Sequence, residues 1–197
     1  MGSIVNNLKN KEDYQILVSA DIDDEQMDIE LDFKNSIICF GVSKSKVDAI
    51  NRDIELAEKD WDIIVNMSDD MRFTFYGFDE IIRQQFEDGD LDKLIHIPDQ
   101  DAKSALATMY IAGRDYYERF GFIYNPVYHS LFCDNEVHEI AIKLGKYRFV
   151  NCSGVLEHLN PAYGHLPKDE MFISQQEVGW TKDQETYLER KAKNFYL

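Results

Sequence analysis

The sequence predicts an α/β domain built on a mixed, mainly parallel sheet flanked by helices. Over the first half, short β-type runs alternate with helical periodicities in the order strand, strand, helix, strand, helix. The run Ile63-Ile64-Val65 is apolar throughout and is followed closely by two adjacent carboxylates, Asp69 and Asp70. That is the pattern of a buried strand bounded by polar residues. With 197 residues, 44% hydrophobic and 13% aromatic, the chain is long and apolar enough for one domain with a sizeable core.

The elements follow in order. Ile4 to Lys11 reads as the end of a helix. Tyr14 to Ala20 is a strand running into Asp21-Ile22-Asp23-Asp24, and Ile37 to Gly41 is a second. Ser43 or Ser45 caps a helix to about Lys59, whose Val47, Ile50, Ile54 and Ala57 recur at helical spacing. The Ile63 strand follows, then a helix over Gly77–Phe86. Leu94 to Ile97 is a short strand closed by Pro98, and Leu106 to Ala112 is another. Arg114 to Phe120 is an aromatic helix ended by Gly121. Asp134 to Leu144 is a helix with Val137, Ile140, Ala141 and Leu144 on one face and Gly145 as its stop. Tyr147–Asn151 and Val155–His158 are strands, and Thr181 to Asn194 is a charged helix. No internal repeat or linker interrupts the chain, which predicts a single domain.

Bulk chemistry narrows the function. A formal net charge of −16 argues against a broad nucleic-acid footprint, and no basic amphipathic helix suggests a membrane anchor. There is no signal peptide and no apolar run of transmembrane length, so a cytoplasmic protein is expected. Cys39, Cys133 and Cys152 stand singly, without metal-ligand spacing, and Cys39 and Cys152, in apolar strand-like segments, read as reduced core thiols.

Three acidic clusters fall where strands or loops end: Asp21/Asp23/Asp24, Asp69/Asp70 and Asp134/Glu136. Each alone reads equally as a solvated turn or helix start. Two hard oxygen ligands at the carboxyl end of a strand suit Mg2+ or Mn2+ holding a diphosphate, and open α/β sheets bind ligands at that end. The segment Gly41-Val42-Ser43-Lys44-Ser45-Lys46-Val47-Asp48-Ala49-Ile50-Asn51-Arg52, a helix, and a strand ending Ser68-Asp69-Asp70 together resemble the nucleotide-sugar half of family 2 glycosyltransferases of the GT-A fold. Cys133-Asp134-Asn135-Glu136 looks like the family's acceptor-side acidic motif, with Cys133 in place of its first acid. The resemblance runs from about Tyr14 to His158, and the Gly41–Asp70 block is its specific part.

The resemblance implies a GT-A type, Rossmann-like sheet. About 14–100 would form the nucleotide-sugar half, and about 101–197 the acceptor half and C-terminal helix. It implies a metal-dependent, inverting transfer of a sugar from a nucleotide diphosphate donor to a hydroxyl acceptor. Asp21, Lys46, Asn51 and Asp69 would contact the nucleotide sugar. Asp70, with His158, would hold Mn2+ or Mg2+, and Asp134 would be the general base. Asp134 opens a helix, where the backbone dipole favours its ionised form and lowers its basicity. The family's first strand has no counterpart before Tyr14, so the fold is expected to be N-terminally truncated, with a bare sheet edge open to self-association. A non-catalytic relative that binds nucleotide, sugar or a partner protein is the alternative. A nucleotidyltransferase is a third reading, but the sequence lacks a glycine-rich, basic triphosphate loop.

Overall fold

The computed structural model describes residues 2–22, 35–100, 103, 105–168, 172–173 and 179–197. Asp23 and Asp24 lie outside them. The chain forms helix α1 (Gly2–Asn7), parallel strands β1 (Ile16–Asp21) and β2 (Ser36–Gly41), and helix α2 (Lys46–Arg52). Then come β3 (Ile63–Val65), β4 (Met71–Phe73), α3 (Phe78–Gln84), β5 (Leu94–His96), β6 (Ile111–Gly113) and α4 (Arg114–Glu118). Helix α5 (Cys133–Lys143), β7 (Tyr147–Phe149), β8 (Leu156–His158) and α6 (Gln184–Ala192) complete it. The fold is mixed α/β.

A four-stranded sheet in the order β3-β6-β5-β7 organises the middle of the molecule. β6 runs antiparallel to both neighbours and β5 parallel to β7, so β3, β5 and β7 share one direction. Successive side chains in a strand point to opposite faces, and the core divides accordingly. Leu94, Ala112 and Ile64 face α2, α4 and α5, where they meet Val47, Tyr116, Ile140 and Ala141. Ile95, Ile111, Ile63 and Val65 face the other way, toward Leu8, Phe73, Phe78, Ile82 and Leu156. Gly113 is required where β6 enters α4, because a Cβ there would lie 2.2 Å from the Leu91 carbonyl oxygen.

Several elements differ from expectation. The helix capped by Ser45 ends at Arg52 and continues only as a 3-10 turn, Ile54–Leu56. The Ser45 hydroxyl accepts from the Asp48 amide at 3.1 Å, and Asp48 accepts from the Lys44 amide at 2.9 Å, a reciprocal N-terminal cap. Met71–Phe73 is an additional strand, paired with β8. The C-terminal helix begins as a π-helical turn, Gly179–Asp183.

Among the described residues, the outer edges of β1 and β3 carry no paired strand. Ile16 donates to Asn35 and Ile22 to Gly41, so Leu17 and Ser19 turn their backbone groups away from β2. Asn66 donates to Tyr110 and Arg114 to Asp62, so Ile63 and Val65 turn theirs away from β6.

Buried carboxylates tie loops to this frame. Asp79 accepts from the Lys9 and Asn10 amides, both at 2.9 Å. Asp183, 0% exposed, accepts from the amides of His129 (2.9 Å), Ser130 (2.7 Å) and Leu131 (2.9 Å). That anchor fixes the loop leading into α5, and hence the position of Asp134. Asp183→Ala strands three amides, and each unmade bond to a charged acceptor costs about 1–3 kcal/mol. We expect urea denaturation to give a loss of at least ~3 kcal/mol. A loss below ~1 kcal/mol would show that the loop does not depend on this carboxylate.

Candidate functional site

The chain leaves β3 and turns through Ser68–Met71, where the Met71 amide donates to the Ser68 carbonyl at 3.1 Å. Asp69 and Asp70 occupy the two central positions. Asp69 points outward and is exposed. Asp70 is half-buried, and the Ser68 hydroxyl donates to its Oδ1. The next strand sets what Asp70 meets. β4 pairs antiparallel with β8 in a register that puts Met71 opposite His158, and the Leu159 amide donates to the Asp70 carbonyl at 2.7 Å. His158 Nε2 therefore lies 3.2 Å from Asp70 Oδ2.

The opposite side of the ring is also occupied. His158 Nδ1 lies 3.4 Å from Oδ2 of Asp99, which follows β5 and Pro98. The Asp99 side chain is 1% exposed, and the Thr108 hydroxyl donates to it at 2.8 Å. Gln100 clamps the backbone of His158: its Nε2 donates to the His158 carbonyl at 3.0 Å, and its Oε1 accepts from the His158 amide at 3.1 Å. Burial alone would raise the Asp70 carboxyl; hydrogen bonds from His158 and Ser68, with the charges of His158 and Lys46, hold it down at about 2. Burial alone would lower His158; its bonds to Asp70 and Asp99 push it up to about 9.

Asp134 and Lys46 act electrostatically on the same group. Asp134 is half-buried at the second position of α5, with its Oδ1 accepting from the Asn135 amide at 2.9 Å. Burial raises its carboxyl, against the Asn135 amide and the charges of Lys46 and His158. The net shift is upward, the reverse of the dipole-driven expectation, because desolvation of the anion outweighs the helix terminus. Lys46 opens α2 and is exposed; its charge acts on Asp70, Asp134 and Cys133. Among the described residues its side chain makes no hydrogen bond or ion pair.

The remaining residues singled out in the sequence are engaged elsewhere. Asn51 donates to the Tyr124 carbonyl at 2.7 Å and accepts from the amides of Ile123 (2.9 Å) and Tyr124 (3.3 Å). Both ends of its amide pin the loop after α4. Asp21 ends β1, where it accepts from the Ser43 hydroxyl at 2.7 Å and from Arg52 at 3.3 Å. Arg52 also donates to the Ala20 and Cys39 carbonyls, at 3.0 and 3.2 Å, closing the end of the β1–β2 pair. Glu136 is a buried partner of Arg190 (2.7 and 2.9 Å) and Tyr128 (2.6 Å). Asp99, Thr108 and Gln100 were not apparent from sequence. Asp99 had one available signal, its place just beyond a strand closed by Pro98, as Asp70 lies beyond β3.

Among the described residues, no three His, Cys, Asp or Glu side chains converge to cage a metal. The two donors at hand nonetheless fit a cation shared with substrate. Adjacent ligands on one Mg2+ or Mn2+, each at about 2.1 Å, lie about 3 Å apart, and such ions commonly use one or two protein ligands plus phosphate oxygens. His158 Nε2 and Asp70 Oδ2 meet that spacing; in the metal-free protein the same contact is a hydrogen bond between the two side chains, so a cation would displace the Nε2 proton. Two hollows among the described residues, of about 50 and 340 Å3, are lined by other residues. No family model, curated protein or solved structure matches the chain.

The pair gives stability a defined pH window. A raised His158 contributes fully below its ordinary value of 6.5, and that contribution disappears as pH rises through about 9. A lowered Asp70 contributes fully above 3.8 and is lost as pH falls through about 2. In EDTA, the Tm is expected to decline between pH 6.5 and 9, and Asp70→Asn should flatten that decline. An unchanged slope in the variant would show that the two side chains are not coupled.

Proposed function

We propose that this protein transfers a sugar from a nucleotide diphosphate donor to a hydroxyl acceptor, with Mn2+ or Mg2+ held by Asp70 and His158. The carrying observation is that a carboxylate and an imidazole 88 positions apart in sequence lie 3.2 Å apart at the end of a sheet strand. Asp134 and Lys46 are close enough to act electrostatically on that group. When bound, the cation supplies Lewis-acid stabilisation of the negative charge that builds on the departing diphosphate.

The side chains have separate tasks. Lys46, uncommitted among the described residues, offers a positive charge to phosphate oxygens. Asp134 takes the proton of the acceptor hydroxyl; its raised carboxyl makes it a stronger base than an exposed aspartate. Asp69, exposed beside Asp70, is free to accept from ribose hydroxyls. Inversion at the anomeric carbon rests on the family resemblance. No helix among the described residues is long and apolar enough to cross a membrane.

A second reading is a non-catalytic relative that binds a nucleotide, a sugar or a partner protein. The internal engagement of Asn51 and Asp21 weighs against transfer, because two residues expected to line the nucleotide instead hold backbone and Arg52. Thermal-shift titration with nucleoside diphosphates and nucleotide sugars, with and without Mn2+, separates the readings. A ligand at 100 times its Kd stabilises by about 2.7 kcal/mol. We expect one nucleotide to raise Tm only with Mn2+, and Asp70→Ala to abolish the rise. Asp134→Asn should keep the rise but lower transfer about 10^2–10^4-fold. A shift that ignores Mn2+ and survives Asp70→Ala, or none with any nucleotide, contradicts transfer at this site.

A further inference from the structure

We propose that Asp99 is a positioning residue that presents His158 Nε2 to the cation beside Asp70. The inference rests on the reading of Asp70 and His158 as metal ligands. An imidazole binds a metal through a nitrogen lone pair. Nε2 has that lone pair in the neutral ring only if the proton sits on Nδ1, and a proton there needs an acceptor. Asp99 Oδ2, 3.4 Å from Nδ1, is that acceptor.

The surroundings keep this orientation. Asp99 is almost wholly buried, and the Thr108 hydroxyl donates to the same oxygen that faces the ring. Gln100, the next residue, holds the His158 amide and carbonyl. The β4–β8 register fixes the other side, with Asp70 across from Nε2. Ring rotation is thus restrained by a carboxylate on one edge and by backbone bonds beneath it. In the metal-free protein Nε2 also carries a proton and donates it to Asp70, so a cation must displace that proton; Asp99 keeps the remaining one on Nδ1, and without Asp99 a ring that has lost one proton would keep the other on Nε2, against Asp70.

The wild-type protein with diamagnetic Mg2+ and a nucleoside diphosphate provides the first test, by nitrogen-15 correlation spectroscopy of the His158 ring. We expect a protonated Nδ1 and a bare, metal-shifted Nε2; a protonated Nε2 would overturn the proposal. Mn2+ affinity, read from the free-ion electron paramagnetic resonance signal, gives the second. Loss of an outer partner of a metal-bound histidine typically weakens binding 10–100-fold. Asp99→Ala is expected to fall in that range, with Asp99→Asn between it and wild type. Thr108→Val leaves Asp99 in place and should weaken binding by less, which keeps the test open if Asp99→Ala does not fold. Should Asp70→Asn leave Mn2+ affinity unchanged, the metal-site reading itself fails. Loss of binding in Asp70→Asn with wild-type affinity in Asp99→Asn and Thr108→Val would overturn the role of Asp99 alone.

Discussion

His158 sits with an aspartate on each side of its ring, and the site's geometry depends on that contact. Asp70, Asp99 and His158 belong to a turn, a loop and a strand end that are distant in sequence. Desolvation works against all charges there: taken alone it would neutralise both Asp70 and His158. The opposite charges reverse that outcome, so the pair persists as ions. Removing one member of a buried charge group leaves the others unpaired, which generally costs more than the group contributes when whole. The arrangement is therefore a firm positional constraint rather than a large source of stability.

A chain with a net charge of −16 repels an anionic ligand at long range, so an anion needs local positive charge. Lys46 supplies one such charge, and a divalent cation on Asp70 and His158 would supply more. Arg52 and Arg190 do not compete for that role. Arg52 closes the β1–β2 pair, and Arg190 neutralises buried Glu136.

Much of the frame was legible in the sequence. Ile63–Val65 and Leu94–His96 are strands and Ser45 caps a helix, because continuous apolar runs and capping residues act locally. The Met71–Phe73 strand was not legible, since its pairing with Leu156–His158 is a long-range event with no local signature. The helix after Ser45 was read too long: Ile54 kept the apolar spacing, but Asp53 turns away to meet Arg52 and breaks the helix. Asp70 and His158 were candidates by residue type and place, and the fold brings them together, while Asp99 and Thr108 meet them through tertiary contact alone. Asn51 has the residue type of a ligand contact but the geometry of a loop clamp, a distinction made only by the folded backbone.

Crystals grown with Mn2+ and a nucleoside diphosphate, measured at the manganese absorption edge, test the central claim most directly. The account predicts an anomalous peak bonded to both Asp70 Oδ2 and His158 Nε2, with diphosphate oxygens completing its shell and Asp99 still against Nδ1. A fully occupied peak elsewhere on the molecule, with the Asp70–His158 contact intact beneath bound nucleotide, would contradict it.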